Sequence, residues 1–144
     1  MIAIDTNVLL RYLLDDDAVQ SEKAAALINA SEKVLVTDIV LVETIWSLKG
    51  KRYKLDHEGI AQTVNALFEE PNIRFEDGQA VWSALRDFRS ALAIKSGGKT
   101  KQADFPDALI VNKAKQVAKQ LEEELEGVYT LDVAAQSIPG TRKP

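Results

Sequence analysis

Two rhythms of apolar and polar positions run along this chain. Short continuous apolar runs read as buried strands, and longer stretches with an apolar residue every three or four positions read as helices. Ile2–Ile4 predicts the first strand. A helix follows, capped by Asp5 or Thr6, with Leu9, Leu10, Leu13 and Leu14 as its stripe. Asp15-Asp16-Asp17 ends it and reads as a solvated loop. Ser21–Ala30 predicts a helix with Leu27 and Ile28 inward, and Val34–Val36 a second strand. Ile39–Leu48 follows a cap at Thr37 or Asp38. Its β-branched residues would suit a strand, but its length, its cap and its lack of alternation favour a helix. Asp56–Phe68 predicts a helix with Ile60, Val64, Leu67 and Phe68 inward and His57 at the surface. Pro71-Asn72 turns into a strand at Ile73–Phe75. Asp77 caps a helix to about Ala93, apolar at Val81, Leu85, Phe88 and Leu92. Lys95–Lys101 reads as a flexible basic loop. Asp104–Asp107 opens a further helix, with Pro106 at its first position pushing Phe105 towards an extended conformation, and Leu109, Ile110, Lys113, Ala114, Val117 and Leu121 continuing the pattern. Gly127 ends it before a fourth strand at Val128–Thr130. The tail past Pro139 adds an edge strand or stays irregular. Trp46, Trp82, Tyr12 and Tyr53 read as core or subunit-contact residues rather than base-stacking platforms.

Strands that alternate with helices predict one α/β domain over residues 1–144, with a parallel sheet and right-handed crossovers. Composition changes this picture little: 46 % hydrophobic and 28 % charged residues are an ordinary globular balance. The net charge of −4 argues against a protein that coats nucleic acid indiscriminately. It leaves room for local basic strips, and Lys49–Lys54 and Lys95–Lys101 are two. The chain has no cysteine, which excludes disulfides and cysteine–zinc sites and suits a reducing compartment. A single histidine, His57, argues against a histidine triad or a poly-histidine metal site. No apolar run is long enough for a bilayer, and Met1 leads straight into a strand. The expectation is a soluble, cytoplasmic protein without membrane contact. Gly98-Lys99-Thr100 imitates the end of a phosphate-binding P-loop. The position of that motif's leading glycine holds Ala93, and a helix precedes it, so nucleotide binding of that kind is rejected.

The acids change the picture more. Asp5 ends the first strand, Asp38 and Glu43 follow the second, and Asp132 follows the fourth. That carboxyl edge is where open α/β sheets place ligands. Glu43 is the only charge between Asp38 and Lys49. Asp104 and Asp107, three apart, share one side of a helix start, where they could cap and nothing more, or join the other acids. Carboxylates gathered in one pocket repel, and either protons or a cation must relieve them. Oxygen-only ligands favour Mg²⁺ or Mn²⁺. Such an ion hydrolyses phosphodiesters without a covalent nucleophile.

Four segments then occur in order: Ile4-Asp5-Thr6-Asn7-Val8-Leu9-Leu10-Arg11, Val42-Glu43-Thr44, Ala103-Asp104-Phe105-Pro106-Asp107-Ala108-Leu109-Ile110 and Thr130-Leu131-Asp132. With them the chain resembles the PIN-domain ribonucleases, and among them the VapC-like toxins of toxin–antitoxin pairs, over essentially its whole length. The resemblance implies a three-layer PIN-like fold with four or five parallel strands flanked by helices. It implies a Mg²⁺- or Mn²⁺-dependent endoribonuclease leaving 5′-phosphate and 3′-hydroxyl ends. Asp5, Glu43 and Asp107 would be the core metal ligands. Asp104 and Asp132 would be supporting acids, directly or through water, and Thr6 and Thr130 would orient a ligand or water. The two basic segments would be candidates for RNA contact. A homodimer and a VapB-like antitoxin that blocks the acidic pocket are also implied. The basic segment before Asp104 departs from the most compact members. Two rival readings stand beside this one. A haloacid-dehalogenase-like phosphatase needs an aspartate where Asn7 stands. A catalytically silent PIN-like module would bind RNA or protein without turnover.

Overall fold

The computed structural model describes all 144 residues. The apolar runs become three short strands, β1 (Ile2–Ala3), β2 (Val34–Val36) and β3 (Ile73–Phe75). They form one parallel sheet in the order β1-β2-β3, with Ile2 opposite Val34 and Val34 opposite Ile73. Parallel strands are covered on both faces, and Val34, Val36 and Ile73 are buried accordingly. The chain divides into two compact units, Met1–Asp56 with Gln62–Gly78, and His57–Ala61 with Gln79–Pro144. No helix is long and apolar enough to cross a membrane.

The first unit holds the three-stranded sheet with α1 (Thr6–Leu13), α2 (Ala18–Ala30), α3 (Asp38–Lys49) and the later turns of α4 (His57–Glu69). Helix α1 packs on α2 and α3, and Leu9, Ala24, Ile28, Leu41, Ile45 and Leu48 form the core between them. The segment that could have been a strand is the helix α3. Thr37 caps it, and Leu41, Thr44, Ile45 and Leu48 are buried with helical spacing. Helix α2 starts three residues earlier than the apolar spacing implies, because Asp17 caps it through the Gln20 amide. Leu27, expected inward, is 45 % exposed, while Ala24 and Ile28 face the core. Asp15 and Asp16 are exposed, as a solvated loop requires, but Asp16 is also tied down. Its Oδ1 accepts from Arg11 Nη1 at 2.7 Å, and its Oδ2 accepts from the Tyr53 hydroxyl at 2.7 Å and lies 3.1 Å from Arg52 Nη2. These partners, the Tyr53 hydroxyl first, hold its carboxyl below the usual range and tie the basic turn after α3 to the α1–α2 loop.

The second unit holds α5 (Gly78–Ser90) from Gln79 onward, the antiparallel hairpin β4 (Ile94–Ser96) and β5 (Lys99–Lys101), α6 (Phe105–Gln120), and the parallel pair β6 (Val128–Tyr129) and β7 (Thr141–Arg142). Two expectations are corrected here. The main sheet has three strands, not four or five, because the segment expected as its fourth strand pairs with the tail. Val128 N donates to the Gly140 carbonyl at 2.9 Å, and Thr130 N to the Arg142 carbonyl at 3.0 Å. The basic segment is an ordered hairpin, not a flexible loop. Gly97 and Gly98 adopt φ +58° and +76°, the left-handed pair that a two-residue hairpin turn requires.

Several side chains also differ from the apolar pattern. The ring of His57 is half-buried, stacked at 3.8 Å on Phe88, with Nε2 2.9 Å from the Phe88 carbonyl oxygen. Leu92, Ile110, Val117 and Leu121 are exposed. So are Trp46 and Trp82, which therefore lie outside the core.

Helix α3 offers a direct test of its period. Leu41→Ala should cost about 2–5 kcal/mol in urea unfolding, whereas Ile39→Ala, at a position 72 % exposed, should cost no more than about 0.5 kcal/mol. A strand would place both residues on one face, so equal losses would contradict the helical packing.

Candidate active site

Strands β1 and β2 are parallel neighbours, so the helices that follow them start on the same edge of the sheet. That places α1 beside α3 in the first unit. Asp5 is the N-cap of α1, and its Oδ1 accepts from the Val8 amide at 3.0 Å. Thr6 opens the helix, and its hydroxyl donates to Glu43 Oε2 at 2.6 Å. Glu43 is exposed on α3, although Leu41, Thr44 and Ile45 around it are buried. The lone acid of an apolar stretch is thus held by a hydroxyl from the residue after Asp5.

In the second unit, Asp104 and Asp107 close a reciprocal capping box at the start of α6. Asp107 N donates to Asp104 Oδ1 at 2.9 Å, and Asp104 N to Asp107 Oδ2 at 3.0 Å. Phe105 between them is fully buried, edge-on to Phe88 with ring centroids 5.9 Å apart. Pro106 is the second helical residue rather than the first, because Asp104 caps the helix and Phe105 opens it, and no amide donor is needed in that turn. Asp132 is exposed, and its Oδ1 accepts from the Ala134 amide at 2.9 Å and the Ala135 amide at 3.4 Å. Its own amide donates to the Thr130 hydroxyl oxygen at 3.1 Å.

A supporting pair escaped the sequence reading. Asn112 Nδ2 donates to Asp87 Oδ2 at 2.8 Å and to the Ala108 carbonyl at 2.9 Å, and both side chains are buried. The signal was available: two polar residues standing in phase with the buried stripes Ala84-Leu85-Phe88 and Ala108-Leu109-Val111. A buried acid without a hydrogen-bond partner would be costly, and here the partner stiffens the early turns of α6.

The acids of the second unit sense one another. Burial raises the Asp107 carboxyl to about 6, and the charges of Asp104 and Asp132 add to it, while the Asp104 amide pulls the other way. The donor set is all oxygen, which suits a hard divalent ion. No group of three or more His, Cys, Asp or Glu side chains is gathered closely enough to hold a metal ion. The acids form two sets, Asp5 with Glu43 in the first unit and Asp104, Asp107 and Asp132 in the second.

Comparison with known families matches the PIN domain over residues 2–134. The chain belongs to the PIN domain family. The matched span runs through both units and contains all five acids. No curated protein shows a significant match to the chain. PIN domains are generally metal-dependent nucleases, and the α/β architecture with its parallel sheet agrees with that fold.

The raised Asp107 carboxyl gives a pH signature to the metal-free PIN domain. Its unfolded value lies near 3.8 and its folded value near 6. The folded state therefore holds the proton more tightly. The stability contributed is fully present below the unfolded value and is lost as pH rises through about 6. Carbon-detected NMR should find Asp107 titrating near 6, and Asp132→Asn should lower that midpoint by removing a like charge. An Asp107 midpoint in the ordinary carboxylate range would contradict this account of the helix start.

Proposed function

We propose that this PIN domain is a divalent-metal-dependent endoribonuclease and the toxin of a VapBC-type pair. Asp5, Glu43, Asp104 and Asp107 hold Mg²⁺ or Mn²⁺, and Asp132 supports them. Bound there, the ion supplies an activated water and neutralises charge on the scissile phosphate. The observation that carries the reading is the Thr6–Glu43 hydrogen bond. It ties the acid of one family motif to the residue beside the acid of another. Thr6 fixes which Glu43 oxygen faces its hydroxyl, and the Val8 amide fixes Asp5. Asp104 and Asp107 hold each other through the capping box. Asp132 is placed by the two amides that follow it. The chain itself needs no nucleophile for this chemistry, in keeping with its lack of cysteine and the half-buried place of its one histidine.

The toxin reading rests on the order of the four motifs and brings a VapB-like antitoxin and a homodimer with it. Co-purification of a small antitoxin encoded beside this gene tests that part. The second reading is a catalytically silent module that binds RNA or protein, and the intact acids argue against it.

One assay separates the two readings. Asparagine is as good an N-cap as aspartate, so Asp5→Asn should keep the fold. It should nevertheless lower Mg²⁺- or Mn²⁺-dependent RNA cleavage by on the order of a hundredfold or more. Equal cleavage by wild type and Asp5→Asn would remove the enzymatic reading, and full cleavage in excess EDTA would remove the metal requirement. Thr6→Val should cost roughly 10–100-fold in metal affinity or activity, and Thr6→Ser should restore most of it. Failure of serine to rescue would assign Thr6 a packing role instead.

A further inference from the structure

The hairpin β4–β5 is a charged feature that the cleavage chemistry does not use. Residues 88–103 carry Arg89, Lys95, Lys99 and Lys101 and no acid, in a chain whose net charge is −4. The three lysines are exposed. They sit on a closed antiparallel ribbon with Ile94 opposite Lys101, Lys95 opposite Thr100 and Ser96 opposite Lys99. Side chains directly opposite share a face, so Lys99 and Lys101 project from one face and Lys95 from the other. The glycine pair at the tip makes the turn tight. The base is tied as well: Gln102 Nε2 donates to the Ala91 carbonyl at 2.6 Å, and Ala103 is buried. Asp104 follows at once as the cap of α6. The arm is therefore anchored beside two of the proposed site acids along the chain.

We infer that this hairpin is a phosphate clamp that holds the backbone of a single-stranded RNA substrate. The inference rests on the proposed ribonuclease reading and adds the form in which the substrate is held. Charge complementarity selects the occupant, since a ribbon of ammonium groups in an otherwise acidic chain matches a polyanion. Lys99 and Lys101 are two residues apart, about 6.8 Å along an antiparallel strand, close to the reach between successive phosphates of an extended chain. Residues 94–101 contain no aromatic ring to stack on a base and no guanidinium or amide fork to read one. Lysine meets phosphate as a point charge. Phosphate contacts position a strand without reading its sequence, so the clamp supplies affinity and register but no base preference. Fixing the ribbon at tip and base limits the ordering cost of each contact.

The test is fluorescence anisotropy with labelled single-stranded oligo-U and oligo-A, in EDTA so that no cleavage occurs, over a range of salt. The triple variant Lys95→Gln, Lys99→Gln, Lys101→Gln is compared with Lys33→Gln, Lys119→Gln, Lys143→Gln. The second set removes the same charge from exposed positions elsewhere. With about 0.7 of salt slope per phosphate contact on single strands, the loss of the two lysines that share a face should remove about 1.4 units of slope. The hairpin variant should lose affinity equally for both oligomers, while the control set keeps most of the wild-type slope. Circular dichroism checks that both variants remain folded. Loss of slope in both sets alike, unchanged binding in the hairpin set, or a loss confined to one base would overturn the clamp. Retained RNA affinity with lost binding to polyglutamate would instead make the hairpin a protein-docking arm. Binding is read without turnover, so an inactive enzyme that still binds through the hairpin would sink the nuclease reading and leave the clamp standing.

Discussion

A carboxylate near other carboxylates needs groups that fix its oxygens, and unpaired amides at the starts of helices and turns are the donors this chain uses most. Asp5 accepts from Val8, Asp104 and Asp107 from each other's backbone, and Asp132 from Ala134 and Ala135. Glu43 lies inside α3, where amides are already spent on the helix, so it takes a hydroxyl from Thr6 instead. The first-turn amides carry partial positive charge and favour anions. Capping and ion holding are thus compatible roles: the oxygen bonded to an amide sets the orientation of the whole carboxylate. The remaining repulsion is visible at Asp107, whose carboxyl is driven up to about 6 by burial and its acidic neighbours.

The rest of each unit reads as support for those acids. Parallel pairing of β1 with β2 brings α1 and α3 out side by side, and the buried faces of Leu9, Leu41 and Ile45 hold them there. Helix α6 is fixed at its first turn by buried Phe105 and further along by Asn112, which bonds both Asp87 and its own helix. His57, stacked on Phe88, belongs to the same packing rather than to the chemistry. Asp16 does for the basic turn after α3 what a cap does for a helix, gathering Arg11, Arg52 and Tyr53.

What could be read from the residues was local. The strands at Ile2, Val34 and Ile73, the cap–helix order and the four motifs were legible because each depends on neighbours in sequence. Capping at Asp104 and Asp107 was legible from their spacing, though not that the two would cap reciprocally. The pairing of Val128–Tyr129 was not, because period-two patterns do not name a partner, and a two-residue strand has almost no pattern at all. The Gly97-Gly98 pair is a hairpin signal that the surrounding lysines disguised as loop. Exposed Leu27, Leu92, Ile110 and Val117 mark a limit of periodicity, since apolar spacing locates a stripe but not its edge. The acids were legible as members of motifs. Their hydrogen bonds were not, because Thr6 and Glu43 lie 37 positions apart.

The most direct measurement is anomalous diffraction from crystals grown with Mn²⁺. The account predicts a manganese ion liganded by carboxylate oxygens of Asp5, Glu43 and Asp107, with Asp104 bound directly or through water. Manganese absent from all of these acids, or bound by only one of the two sets, would contradict it.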